Sequence, residues 1–361
     1  MNLLLVSKLA RSARAINTIA NYVSAADAQG HQIAVFGEKD AGFPDLPFSL
    51  SVRDFEFAIF IVYMPSDFPD LPYLADLLDG MPRSRRVIID CTGRYNDTVR
   101  VEHDFNHLEK MDGHQSWEWI EAFQSIADRI LQPTPSPRRE DVGSFLFHGY
   151  DSRVEMHAFR SASEAARRWS SSDRKYGAAY VGHNWQRWTQ IRRFLEEAAT
   201  VSPPLGKVAL VGWDWQRRPD WAVQLGIKGA DVDPELLDRL GVERREPIPF
   251  AEVREFLGNA RFSPIIHRPL FNNLGLVTNR TFETFLADTL PLVMLPREMA
   301  EAIYGPDVLP LVAGDDIAGR LTEMLRDPEP YWDAVLRVRA HLASQHSYEQ
   351  RLSELVALLQ R

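Results

Sequence analysis

Two series of short apolar runs, each alternating with stretches of helical periodicity, constrain this chain more than any single motif. Leu3 to Val6 has strand length, and Ala13 to Gln29 carries apolar residues at helical spacing: Ile16, Ile19, Ala20 and Val23. Gly30 fits the end of that helix, and Gln32 to Phe36 predicts the next strand. A strand–helix–strand opening is the usual start of a parallel, doubly wound sheet. Ala58 to Tyr63 and Arg86 to Ile89 read as further strands, with a helical segment Tyr73 to Leu78 between them. Trp117 to Leu131 reads as a helix. It stops at the proline-rich stretch Gln132 to Pro137, an extended segment and a candidate boundary. In the ambiguous stretch 138–175, Phe145 to His148 could be a strand and Ser161 to Arg168 a short helix.

The second series begins at Tyr176. Gly177 to Val181, Lys207 to Val211, Phe262 to Ile266 and residues 291–295 read as strands. Trp188 to Ala199, Pro234 to Leu240, Phe250 to Leu257 and residues 280–287 read as helices. Three helices close the chain: Asp316 to Arg326, Tyr331 to Ser344 and Tyr348 to Leu359. At 361 residues the chain is too long for one ordinary core. The expected class is α/β, with two Rossmann-like domains facing a cleft.

Apolar content of 45% and charged content of 25% are those of a soluble globular protein. A net charge of -9 argues against nucleic acid or an anionic membrane as the main partner. A single cysteine, Cys91, cannot form an internal disulfide, so a cytoplasmic location is expected, with Cys91 a small apolar filler rather than a nucleophile. The first apolar run is too short for a signal peptide, and Phe57 to Met64 is too short for a membrane span. The loop Ser7 to Arg14 lacks the glycines of a dinucleotide fingerprint, which disfavours a nicotinamide cofactor. It could dock an anionic acceptor or be a solvated basic helix start. The histidines are scattered along the chain, and no metal is expected.

Gly275 to Pro296 carries the sharpest local signal. Asn279 is a candidate cap for a helix whose first turn is Arg280, Thr281 and Phe282. Phe282, Phe285 and Leu286 share a core face, while Arg280 and Glu283 lie on a neighbouring face at the same end. An arginine fork beside a carboxylate able to accept from vicinal hydroxyls suits a nucleotide-sugar; the plainer alternative is a surface ion pair.

This segment and the tail are also recognisable together. Gly275 to Glu283, Leu290 to Val293, Asp315-Asp316, Asp327-Pro328-Glu329 and His346 to Arg351 resemble, in order, the glycosyltransferases related to spore-maturation proteins. The resemblance covers roughly residues 176–361 and implies the GT-B architecture. On that basis residues 1–145 are expected to form the acceptor domain and 146–345 the nucleotide-sugar domain, while 346–361 would be a helix crossing back. The resemblance assigns Glu283 to the ribose. It puts Gly275 where related retaining enzymes carry a second glutamate, and Asp288-Thr289 where a small pair is common. The expected activity is transfer from a nucleoside-diphosphate sugar, such as a UDP-sugar, to a glycan, protein or small molecule. No metal or further cofactor is expected. An epimerase of the same fold, or a homologue without turnover, are the rivals.

A departing diphosphate needs fixed cations. Arg280 is the first candidate and His267-Arg268 at the preceding strand end the second; Asn272, Asn273 and Asn279 add neutral donors. In an open α/β sheet, ligands bind at the carboxyl edge. That places Gly182, His183, Asn184 and Arg187 after the first strand of the second half among the donor contacts, with Trp213 or Trp215 able to stack on a ring. Thr281 completes the donor set on the 280 helix. Asp90, Asp104 and His148 are the candidates for a general base. Asp231-Val232-Asp233 superficially matches the acidic triplet of another glycosyltransferase fold, but preceding Pro234 it reads better as a helix cap.

Overall fold

The structure is a computed structural model that describes residues 1–9, 16–63, 71–96, 114–154, 161–171, 173–224 and 231–361. Seven parallel strands form the first sheet: β1 (Asn2–Val6), β2 (Gln32–Phe36), β3 (Phe48–Ser49), β4 (Phe57–Val62), β5 (Arg86–Asp90), β6 (Arg129–Gln132) and β7 (Val142–Ser144). Their order is β3-β2-β1-β4-β5-β6-β7. Five more form the second sheet: β8 (Tyr176–Val181), β9 (Val208–Val211), β10 (Glu243–Arg245), β11 (Ala260–Ile265) and β12 (Leu290–Val293). These run β10-β9-β8-β11-β12, again all parallel. In each sheet the strand order reverses beside the first strand, between β1 and β4 and between β8 and β11. Those two reversals are where an open α/β sheet leaves a crevice.

The central strands are buried on both faces, as parallel strands between helices must be. In β4 the sequence Phe57-Ala-Ile-Phe-Ile-Val62 is apolar throughout. Its alternate residues serve two cores. Ile59 and Ile61 pack with Leu3, Leu5, Val87 and Ile89, whereas Ala58 and Phe60 pack with Leu4, Val6 and Ile88 on the other side. The last helix, Tyr348–Leu359, belongs to the first sheet's core rather than the second's. Tyr348, Leu352, Leu355 and Leu359 lie against Ile19 and Tyr22 of the helix Ile16–Gln29. Ser347 caps it by accepting from Gln350 N, and Gln29 Nε2 donates to the Glu349 carbonyl at 2.8 Å.

Several local readings need correction. The segment read as one helix from Trp117 to Leu131 is a helix, His114–Ile126, followed by β6. Ile130 and Leu131 fit an apolar helix face equally well, but they pair with Ile88 and Ile89 in the ladder. The strand expected at Phe145 to His148 is β7, three residues earlier. Helices at Pro269–Leu274 and Arg297–Tyr304 lie outside the expected elements. Thr278, not Asn279, caps the helix Asn279–Glu283, in a reciprocal box with Thr281. Asp233 does cap its helix, accepting from Leu236 N at 3.0 Å.

Candidate functional site

The carboxyl edges of the two sheets face each other across a cavity of about 210 Å³. Its first wall holds Tyr63 after β4, Cys91 after β5 and His148 after β7; its second holds Gly182, Arg268, Arg280 and Glu283. A larger cavity of about 560 Å³ adjoins it across Phe250, Asn279 and Glu283, which line both. The Pro247-Ile248 turn after β10 gives the first cavity an apolar end, together with Phe250 and Val253.

Positive charge is concentrated on one side. Arg187, Arg280 and Arg268 all act on buried His267; burial first, and then these guanidiniums, push its pKa down to about 3. A neutral His267 bonds Thr281 Oγ1 at 3.1 Å and Thr278 Oγ1 at 3.3 Å, so it braces the cap of the Arg280 helix. Arg280 lies over the Tyr180 ring at 5.5 Å, and its Nε is buried with no hydrogen-bond partner among the described residues. Gly182 makes this possible: a Cβ there would collide with Arg280 Nη1 and lie 2.8 Å from the Tyr180 hydroxyl oxygen. Arg268 stacks on Phe271 at 3.9 Å, and Arg187 donates to the His183 and Trp185 carbonyls. Gln186 and Asp214 hold positive φ without being glycine, one in each loop at this carboxyl edge.

Among the described residues lining this cavity, Glu283 is the only carboxylate. Burial lifts its pKa to about 7, against the opposing pull of Arg280 and of a hydrogen bond from Asn279. A group held between its two forms near neutral pH suits a role completed by a ligand.

The other sequence candidates divide clearly. Gly182, His183, Arg187, Arg268, Asn279, Arg280, Glu283 and His148 line the cavity. Asn184, His267 and Thr281 do not, and each is engaged inside the fold. His267 and Thr281 bond each other, while Asn184 Nδ2 donates to the Asp214 and Asp231 carbonyls and so ties two loops together. Trp213 is 45% exposed and stacks on His183 at 4.1 Å outside the cavity. Trp215 is buried and donates to Gly182 O at 2.7 Å, a packing role. Asp90 is fully buried away from the wall, and its oxygens accept from Thr92 N, Thr92 Oγ1, Gly93 N, Tyr95 N and Gln132 Nε2. Asp104 lies outside the described residues. His148 is buried, with Nδ1 3.2 Å from Thr18 Oγ1, and burial pushes its pKa down to about 3.

Sequence reasoning missed the apolar turn at Pro247-Ile248 and the polar seam between domains, where Asn17 and Asn279 exchange amide hydrogen bonds of 3.3 Å. The position of Pro247-Ile248 after a carboxyl-edge strand was a usable signal. For the seam there was none, because its partners are 262 residues apart.

Residues 186–357 match the family model described as glycosyl transferase-like. The architecture is GT-B. An α-glucosyltransferase solved with UDP is similar over 100% of this chain and 99% of its own, at 12% identity and a TM-score of 0.61. The same name describes a complex with UDP and a 13-mer DNA, with a TM-score of 0.60, 12% identity and full coverage of both chains. The T4 phage β-glucosyltransferase with UDP and Mn²⁺ covers 99% of this chain and 96% of its own, at 14% identity and a TM-score of 0.51. No curated protein matches the chain at a significant level of sequence similarity. Among the described residues no helix is long and apolar enough to cross a membrane, and no three His, Cys, Asp or Glu side chains are grouped as a metal would need.

Proposed function

We propose that this chain transfers a sugar from a nucleoside-diphosphate sugar to an acceptor held against the first domain. The observation that carries this reading is the convergence of Arg187, Arg268 and Arg280 on one side of a cleft that also holds Glu283. Three guanidiniums neutralise a leaving diphosphate as charge develops on it, so the fixed cations take the part a metal plays elsewhere. Glu283 accepts the ribose hydroxyls, and the base lies on the apolar turn at Pro247-Ile248. The sugar then points at Tyr63, Cys91 and His148, on the wall the first domain supplies.

The solved neighbours with UDP make a UDP-sugar the first donor to test. The acceptor is a glycan, a protein or a small molecule: the net charge of -9 opposes a duplex, whose binding rests on phosphate contacts. Motif order at 275–351 favours the branch related to spore-maturation proteins, and the donor chemistry fits a cytoplasmic location.

Titration calorimetry with UDP tests the donor site. Arg280→Ala and Glu283→Ala should each weaken binding by about 10-fold or more, the worth of a charge-assisted hydrogen bond. Unchanged affinity in both variants would place the nucleotide elsewhere.

A further inference from the structure

The seam between the domains contains a chain of hydrogen bonds whose direction can be read. It starts at Glu283, which accepts from Asn279. Above pH 7 Glu283 is a carboxylate with no proton to give, so the Asn279 amide nitrogen faces it, and that nitrogen also donates to Asn17 Oδ1 at 3.3 Å. Asn279 Oδ1 therefore faces the other way, towards Asn17 Nδ2 at 3.3 Å and Thr18 Oγ1 at 3.5 Å.

Thr18 is fully buried and has one hydroxyl proton. Tyr348 donates to its oxygen at 3.2 Å, and His148 Nδ1 lies 3.2 Å away. If the Thr18 proton goes to Asn279 Oδ1, Thr18 has two lone pairs left. They accept from the Tyr348 hydroxyl and from an Nδ1–H of His148, and every group in the chain is satisfied. If Thr18 instead donates to Nδ1, the His148 proton moves to Nε2. Asn279 Oδ1 then loses Thr18 as a donor and keeps only Asn17 Nδ2.

Resting on the donor reading above, we infer that Glu283, through Asn279 and Thr18, holds His148 in its Nδ1–H tautomer, so that the Nε2 lone pair faces the cleft as general base. The acceptor hydroxyl gives its proton to Nε2 as its oxygen bonds the anomeric carbon. The carbon–oxygen bond to the diphosphate breaks and the nucleoside diphosphate leaves with that electron pair. His148 then releases its proton to water. The single displacement inverts the anomeric centre. Thr18 and Asn279 are positioning residues here, and His148 is the catalytic one. Two domains must meet to set the tautomer, because Thr18 and His148 come from one side of the seam and Asn279 from the other.

Nitrogen-15 NMR of the histidines in the full chain reads this directly, with His148→Asn used to assign the signal. The wild-type protein should show His148 protonated on Nδ1. Thr18→Val, of nearly equal volume, should shift it to Nε2–H, and Thr18→Ser should restore it. A wild-type Nε2–H tautomer overturns the inference whatever the protein does with nucleotides. Activity is the second arm, on whichever of a panel of UDP-, GDP- and TDP-sugars the wild type cleaves. Thr18→Val should lower kcat about 100-fold with UDP affinity unchanged, Thr18→Ser should recover most of it, and His148→Asn should lose more. Full activity in His148→Asn, or a retained anomeric configuration in the product, overturns the base role while leaving the donor reading intact. Failure to bind UDP or cleave any donor overturns the donor reading and the base role together, whereas the tautomer measurement still stands alone.

Discussion

Asp90 and Glu283 are both buried carboxylates at the ends of regular elements, and they do opposite things. Asp90 ends β5 and accepts five hydrogen bonds, four of them from the turn that follows and one from Gln132 in the next strand. Glu283 ends a short helix at the cleft, with Asn279 as its hydrogen-bond partner, and its pKa rises to about 7. One carboxylate is spent on the fold. The other is a cost to the fold that a ligand would offset, which is the usual mark of a functional group.

The comparison breaks most visibly at Asp90. Asp90→Ala leaves the backbone N–H groups of Thr92, Gly93 and Tyr95 buried without their acceptor. Unfolding in urea should show a loss of about 3–5 kcal/mol, the range for a buried group stripped of its charged partner. A variant that kept its stability but lost UDP binding would reverse the roles assigned to the two carboxylates.

Glu283→Gln should act in the other direction. Below pH 4.5, the ordinary value for a glutamate, Glu283 is protonated whether the chain is folded or not. As the pH rises from there to about 7, the unfolded chain releases the proton while the folded chain keeps it, so the wild type loses stability. The loss levels off above pH 7 at about 3 kcal/mol or less. The variant lacks that slope. It should match the wild type at pH 4 and unfold at a higher temperature at pH 8, while binding UDP more weakly. Parallel pH–stability curves for the two proteins would show that Glu283 titrates normally.

What the sequence disclosed follows the same division. Charged residues at carboxyl edges were legible, because a strand end in an α/β fold is recognisable from an apolar run and its loop. His267-Arg268 and the loop at 182–187 were read that way, whereas Arg280 and Glu283 were read from a helix start. Strand and helix were confused where both faces are buried, since Ile130-Leu131 carries no polar alternation to separate them. Which polar residues are spent was not legible at all. Asp90 and Glu283 look alike in sequence, and only the positions of Gln132 and the Thr92–Tyr95 backbone distinguish them. The Thr18–Asn279 contact spans 261 residues and exists only once two sheets have docked.

Gly182 offers the finest test of the division between fold and function. Its missing side chain leaves room for the Arg280 guanidinium, which is the far end of a flexible chain and can move. Gly182→Ala should therefore cost the fold little, about 1 kcal/mol as the Tyr180 hydroxyl and the arginine shift. The same shift takes Arg280 off the Tyr180 ring, a contact worth about 1 kcal/mol on its own. More importantly, it moves a fork whose two N–H groups must meet phosphate oxygens together, and such geometry tolerates little displacement. Calorimetry should record UDP affinity lower by about 10-fold in a protein whose unfolding temperature has barely changed. If affinity holds and stability falls instead, Gly182 belongs with Asp90 among the residues that build the fold, and Arg280 is not the phosphate ligand.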